Sequence, residues 1–269
     1  MLEFRWTRFQ QGVYYMNKRH ELVNLIKPLI SSKDYILAAW EGGSAATNRV
    51  DQYSDLDLSL VVEDDQVERT FLELDHFIEE QFGILRKYRL PEPTWHGASQ
   101  CFYIIDKTEP MIYLDIAVFK VSNPDKLMET DRHGHAVVWF DKANIYQPTP
   151  SSPQSIQERG KKFFATTTQM DFLIMLEIEK GILRGQFYDV FPTYMGFISR
   201  YLSVLLNLKY RPAKADFGLR YGRTEYKMND ALLVENAFKV SNMDELKHQY
   251  ELIKQRYHEL IHELKPIWS

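Results

Sequence analysis

At 269 residues the chain is long enough for one large or two modest domains, and a 45% hydrophobic content is enough to fill their cores. A net charge of −4 argues against nucleic acid as a general partner, because phosphate backbones are bound by basic surfaces, and suits an enzyme of small, preferably cationic molecules. Cys101 is the only cysteine, which excludes an intramolecular disulfide; no apolar run reaches membrane-spanning length, and Met1 to Gln11 carries Glu3, Arg5 and Arg8 instead of a secretion-signal core, so the cytoplasm is the expected compartment.

In chain order, Asn17 to Ile30 carries Leu22, Leu25, Ile26 and Leu29 at helical spacing. A polar Ser31-Ser32-Lys33-Asp34 loop then leads into an apolar strand, Tyr35 to Trp40. Asp55 to Val62 alternates and then turns continuously apolar, which predicts a strand half buried at its start and deeply buried at its end. Gln66 to Gln81 sets Val67, Phe71, Leu74, Phe77 and Ile78 on one helical face. Strand-like runs follow at Ile84–Leu90, Gln100–Ile105, Met111–Phe119 and Ala136–Phe140, with Pro91, Pro93 and Gly97 between the first two. Cys101 falls inside one of these runs, as a buried inert thiol would.

Composition shifts at Gln147 to Ser155, where Pro148, Pro150 and Pro153 sit among Ser, Thr and Gln, the best linker in the chain. Beyond it the pattern is helical: Gln157–Ile182, Pro192–Leu208, Glu225–Val240 and Met243–Leu264, the last opening on Asn242 as an N-cap. These runs predict an α/β (α+β) mixed-sheet domain over residues 1–147 and an all-helical C-terminal domain over 148–269.

The residues that carry chemistry cluster early. Gly42-Gly43-Ser44 is a small flexible turn, and Asp55 and Asp57 follow at the head of a strand. Alternation puts both carboxylates on one face, roughly 6–7 Å apart at the backbone, where they repel unless a cation sits between them. Carboxylate oxygens with water suit magnesium. Asp115 is the one charge within the apolar run Leu114-Asp115-Ile116, and a lone acid there needs a partner or a function.

An apolar strand, a Gly-Gly-Ser turn, an Asp-x-Asp strand and a later strand with a third acid together resemble the nucleotidyltransferase superfamily built on the polymerase-beta palm. The run Val50 to Asp57 looks most like the branch that adenylylates aminoglycosides and related small molecules. The resemblance implies Asp55, Asp57 and Asp115 as catalytic and metal-binding acids on a two-ion magnesium site, with Asp115 also placed to accept the acceptor hydroxyl proton. It implies ATP as donor and a small hydroxyl-bearing acceptor. Gly43 and Ser44 would contact the phosphates, and Lys214, in the basic loop Lys209 to Arg223, would add a cation from the helical domain, although solvated surface charge explains that loop equally well. The pattern departs from the family where many members place a glycine shortly after the serine; here stands Thr47-Asn48-Arg49, and asparagine tolerates the left-handed backbone.

The remaining candidates are weaker. His258 and His262 have helical ligand spacing but no evident third ligand, which reads as a surface helix. Trp95, His96 and Trp139 are polar-edged aromatics able to line an acceptor site, and Glu177, between Leu176 and Ile178, could face a cationic sugar or solvent. Two other functions share the motif: transfer to a protein or RNA acceptor, and nucleotide binding without turnover. Loss of an acid would favour the second; none is lost.

Overall fold

The computed structural model describes residues 8–106 and 112–269, with side chains from Arg19 onward. The start of the predicted Met111–Phe119 strand at Met111, and the side chain of Asn17, lie outside the described residues. Packing divides the chain into two units, Met1–Pro150 and Ser151–Ser269.

The first unit is a six-stranded mixed sheet with helices. In chain order it comprises α1 (Arg8–Ser31), β1 (Ile36–Glu41), the single turn α2 (Gly43–Ala46), β2 (Leu56–Val62) and α3 (Val67–Phe82), then β3 (Ile84–Arg89), β4 (Ser99–Ile105), β5 (Tyr113–Lys120), the turn α4 (Thr130–His133) and β6 (Val137–Asp141). The strand order is β3-β4-β5-β2-β1-β6. Among the described strands β2 and β5 pair in parallel, and the other pairs are antiparallel.

The alternation read in the sequence decides which side chains reach which face. Leu56, Leu58, Leu60 and Val62 of β2 pack with Leu114, Ile116 and Val118 of β5 beneath Leu22, Ile26 and Ile30 of α1 and Phe71, Leu74 and Ile78 of α3. Burying each such side chain contributes about 1.5–3 kcal/mol. On the other face, Val61 and Phe119 join Trp40 and Ala38 in a smaller cluster. Asp57 and Asp115 belong to that second face by alternation, at the ends of the strands where the apolar cover stops.

The second unit is all helical: α5 (Pro153–Gln169), α6 (Asp171–Leu183), α7 (Phe187–Gly196), a π-helical turn at Phe197–Leu202, α8 (Ser203–Tyr210), a 3₁₀ turn at Pro212–Lys214, α9 (Gly222–Glu225), α10 (Met228–Ala237) and α11 (Met243–Trp268). Its core gathers Phe197, Leu205 and Leu206 with Tyr250, Ile253, Tyr257 and Leu260 of α11. Asn242 caps α11 as expected, its side chain accepting the Glu245 N–H at 3.0 Å. The single helix predicted over Gln157–Ile182 is two, broken at Met170. The Tyr257 hydroxyl reaches the Thr167 carbonyl at 3.4 Å and the Asp171 carboxylate at 3.2 Å, so tertiary contacts on both sides of the break hold the bend.

Candidate active site

Three carboxylates gather at one end of the central parallel pair. Asp57 and Asp115 are register partners on β2 and β5, which places them side by side at about 4.8 Å in the hydrogen-bonding direction. Asp55 precedes β2 by one residue, and its Oδ1 accepts the Tyr113 N–H at 3.1 Å, closing the open end of the pair. The approach to Asp55 is a tight turn in which Asp51 Oδ1 accepts the Tyr53 N–H at 2.9 Å and the Asp51 N–H donates to Ser54 Oγ at 2.8 Å.

The electrostatics of the cluster are those of crowded like charges. Burial pushes the Asp115 carboxyl up to about 6; a hydrogen bond from Gln100 opposes this, and the charge of Asp57 adds to it. Asp55 is also raised, by burial first and by Asp57, against the Tyr113 N–H. The neighbouring Tyr113 phenol is pushed up to about 12 by burial and then by Asp55, Asp57 and Asp115.

The glycine turn is built against this cluster. Gly42 N–H donates to the Asp57 carbonyl at 2.8 Å. Gly43 has φ +54°, and a Cβ there would lie 1.8 Å from Asp57 Oδ2, so both backbone hand and space demand glycine. Ser44 follows with its Oγ buried and, among the described residues, without a hydrogen-bond partner, an arrangement that calls for an explanation. Asn48 does take the left-handed conformation, with φ +54°. From behind, the turn is held by the two residues that follow α4: His135 N–H donates to the Ala46 carbonyl at 2.9 Å, and a Cβ on Gly134 would stand 2.3 Å from that oxygen.

Two neighbours were not anticipated from the sequence. Arg19 of α1 is buried and ion-paired with Glu41, the residue just before the turn. Burial lowers the Arg19 guanidinium, and the charge of Asp57 opposes that, so this cation also faces the acids. Its signal was an Arg three residues before Leu22 and seven before Ile26, on the apolar stripe of the helix. Gln100 of β4 donates to Asp115 Oδ1 at 2.5 Å; its signal was a polar residue on the same strand face as Phe102 and Ile104.

The other candidates separate clearly. Lys214 lies in the second unit with Nζ 3.2 Å from Glu225 Oε1. It belongs to a knot in which buried Arg211 donates to Asn207 Oδ1 at 2.7 Å, to the carbonyls of Gly218 at 2.9 Å and Arg220 at 2.6 Å, and to Glu225 Oε2 at 2.6 Å. Glu177 is exposed and paired with Lys180 at 3.0 Å, the solvated alternative. His258 and His262 are exposed on α11, Trp139 is buried core, Trp95 is 81% exposed, and Cys101 is buried with its thiol pushed up by burial. Among the described residues no helix is long and apolar enough to cross a membrane.

The donor set suits a hard divalent cation: three carboxylates, two of them raised by burial and mutual repulsion, beside a turn cut to fit one of them. Among the described residues, no three His, Cys, Asp or Glu side chains already converge as ligands on one point. The reason is visible in the partners, since Asp55 Oδ1 is turned to Tyr113 and Asp115 Oδ1 to Gln100.

A mixed sheet with an Asp-x-Asp strand, a parallel partner bearing the third acid and a Gly-Gly-Ser turn packed on them defines a nucleotidyltransferase. Residues 16–255 match the family model for streptomycin adenylyltransferase, and the chain belongs to that family. No curated protein matches it.

Proposed function

We propose that this enzyme transfers AMP from ATP to a hydroxyl of an aminoglycoside-type small molecule, with divalent-metal dependence and with antibiotic resistance as its biological role. Residues 1–147 form the catalytic domain in this reading and 148–269 the helical domain; ATP as donor puts the reaction in the cytoplasm. The observation that carries it is the crowding of Asp55, Asp57 and Asp115 against the Gly43 turn.

The reaction forms a bond from the acceptor oxygen to the α-phosphorus and breaks the bond to the β-phosphate, with pyrophosphate leaving. Asp55, Asp57 and Asp115 would hold magnesium, which when bound neutralises phosphate charge and polarises the phosphoryl group. The Gly43 N–H and Ser44 Oγ donate to phosphate oxygens, using the hydroxyl that has no partner among the described residues. Asp115, side by side with Asp57 on the neighbouring strand, accepts the hydroxyl proton. Lys214 is the candidate phosphate cation of the helical unit, and that role requires it to exchange Glu225 for phosphate.

Pyrophosphate release with ATP, magnesium and a panel of streptomycin, other aminoglycosides, lincosamides and simple sugars tests the reading. Turnover of an aminoglycoside, abolished by EDTA, is the expected result. Modification of protein or RNA, with no panel member turned over, would sink it.

A further inference from the structure

We propose that His96 and Gln100 form a one-way hydrogen-bond relay that orients Asp115, making both positioning residues for the transfer; this rests on the reading of Asp115 as the carboxylate at the reacting hydroxyl. The polarity of the chain is set from its end. An ionised Asp115 only accepts, so Gln100 must present its amide N–H₂ to Oδ1, at 2.5 Å. The Gln100 carbonyl then faces the imidazole, and His96 Nε2 lies 2.8 Å from Oε1. Nε2 must therefore carry the hydrogen, which leaves Nδ1 as an acceptor. The backbone agrees: the Ala98 N–H donates to Nδ1 at 3.1 Å. Thr94 Oγ1 spends its hydrogen on the Ala98 carbonyl, at 2.5 Å, and clamps the same loop. Three hydrogen bonds thus point in one direction, from the Ala98 peptide to the carboxylate.

The scaffold fits that task. Phe102 of β4 is the register partner of Asp115, so Gln100, two residues away on the same face, reaches it diagonally. The His96 ring is held edge-on by Trp95 with centroids 4.9 Å apart and lies 6.4 Å from Phe119. An amide does not pass a proton onward, so the relay cannot shuttle protons. It fixes Oδ1 and turns the other oxygen, Oδ2, toward the reacting hydroxyl.

The experiment compares Gln100→Leu, His96→Phe, the double variant and Asp115→Asn in steady-state turnover, with ¹⁵N NMR of the histidines in the metal-free, nucleotide-free protein. Gln100→Leu should lower kcat about 10- to 100-fold, as loss of a supporting partner commonly does, with KM for ATP unchanged. His96→Phe keeps the ring contacts and removes both nitrogens, and should lower kcat less. The double variant should be no worse than Gln100→Leu alone, because both act through one chain. His96 should show the Nε2–H tautomer in wild type; in Gln100→Leu the Ala98 N–H still holds Nδ1 as the acceptor, so the tautomer stays while the Nε2 resonance shifts because its hydrogen has lost its acceptor. If Gln100→Leu does not fold, His96→Phe and the tautomer decide the matter. Wild-type kcat in the folded relay variants, with Asp115→Asn inactive, overturns the relay and leaves the role of Asp115 standing. Wild-type turnover by Asp115→Asn removes that role, and the inference with it.

Discussion

Partly buried carboxylates occur in both units, and their environments push them in opposite directions. In the helical unit Asp230 of α10 accepts from Arg256 Nε at 2.7 Å and Nη2 at 3.0 Å and from the Tyr210 hydroxyl at 2.6 Å. Burial would raise it, yet those donors together bring it below the ordinary carboxylate range. Arg256 is further held by Glu259 at 3.1 Å and Glu263 at 2.9 Å. In the sheet unit Asp55 and Asp115 are raised, by burial first and then by a neighbouring acid, against the hydrogen bonds from the Tyr113 N–H and Gln100. A buried charge with a matched partner is architecture. One left among like charges is a place for a cation to arrive.

The largest expected effect breaks that comparison at its two centres. Asp57→Asn should lower turnover by at least about 1000-fold, since several kcal/mol of transition-state stabilisation pass through the acids and their cation. In EDTA its melting temperature should equal or exceed that of wild type, because repulsion within the cluster falls. Asp230→Asn should do the reverse. It strips the charge from a buried ion pair and should cost about 3 kcal/mol of stability, while turnover per folded molecule is retained. Denaturant unfolding beside a pyrophosphate assay checks both. A destabilised Asp57→Asn that still responds fully to magnesium and ATP would show that these acids are not the ligands.

What the sequence made legible follows the same line. Period-2 alternation along β2 is a local property, so the face that Asp57 takes could be read directly, as could the isolation of Asp115; Asp55, expected on the same strand, lies one residue before it. The relay from Gln100 to Asp115 could not, because it depends on the β4–β5 register, and a slip of one residue would turn Gln100 to the opposite face. The break at Met170 was hidden for a related reason: helical periodicity continues through it, and contacts from Tyr257, 86 residues further along the chain from Asp171, make the bend. The basic loop looked like a phosphate site by charge alone, but its cations are largely committed, Lys209 to Glu263, Arg211 and Lys214 to Glu225, and Arg223 to Glu235.

A smaller effect sharpens the comparison through pH. Asp115 moves from 3.8 to about 6 in the fold. At about 1.4 kcal/mol per pH unit this is about 3 kcal/mol at most. The folded pKa is above the unfolded one, so the contribution to stability is fully present below about 3.8 and is lost as pH rises through about 6. Without metal, wild type should therefore lose stability relative to Asp115→Asn between pH 4 and 7, and the gain from magnesium should grow across the same window. Asp230, lowered by its partners, has the opposite sign: its contribution is present above the ordinary carboxylate range and fades only as pH falls below it. Thermal melts from pH 4 to 8, with EDTA and with magnesium, check this. A stability difference between wild type and Asp115→Asn that stays flat across the window would remove the electrostatic account of the cluster.

The smallest effect concerns one hydroxyl. Ser44 Oγ is buried with no hydrogen-bond partner among the described residues, whereas the buried hydroxyl of Tyr194 in the helical core donates to the Ala237 carbonyl at 2.7 Å. Removing a satisfied buried hydroxyl leaves its acceptor stranded, but removing an orphan takes away a group that was already paying for desolvation. Tyr194→Phe should thus destabilise the fold by about 1 kcal/mol and leave the nucleotide affinity alone. Ser44→Ala should leave the melting temperature of the ligand-free protein unchanged or slightly raised, and should weaken ATP binding or slow turnover by about 1 kcal/mol or more, the worth of one hydrogen bond to a phosphate oxygen. Calorimetric titration of ATP into each variant separates the two. An Ser44→Ala protein that is less stable yet binds ATP as wild type does would make the hydroxyl a structural part of the turn, and would leave phosphate recognition there to the backbone N–H groups.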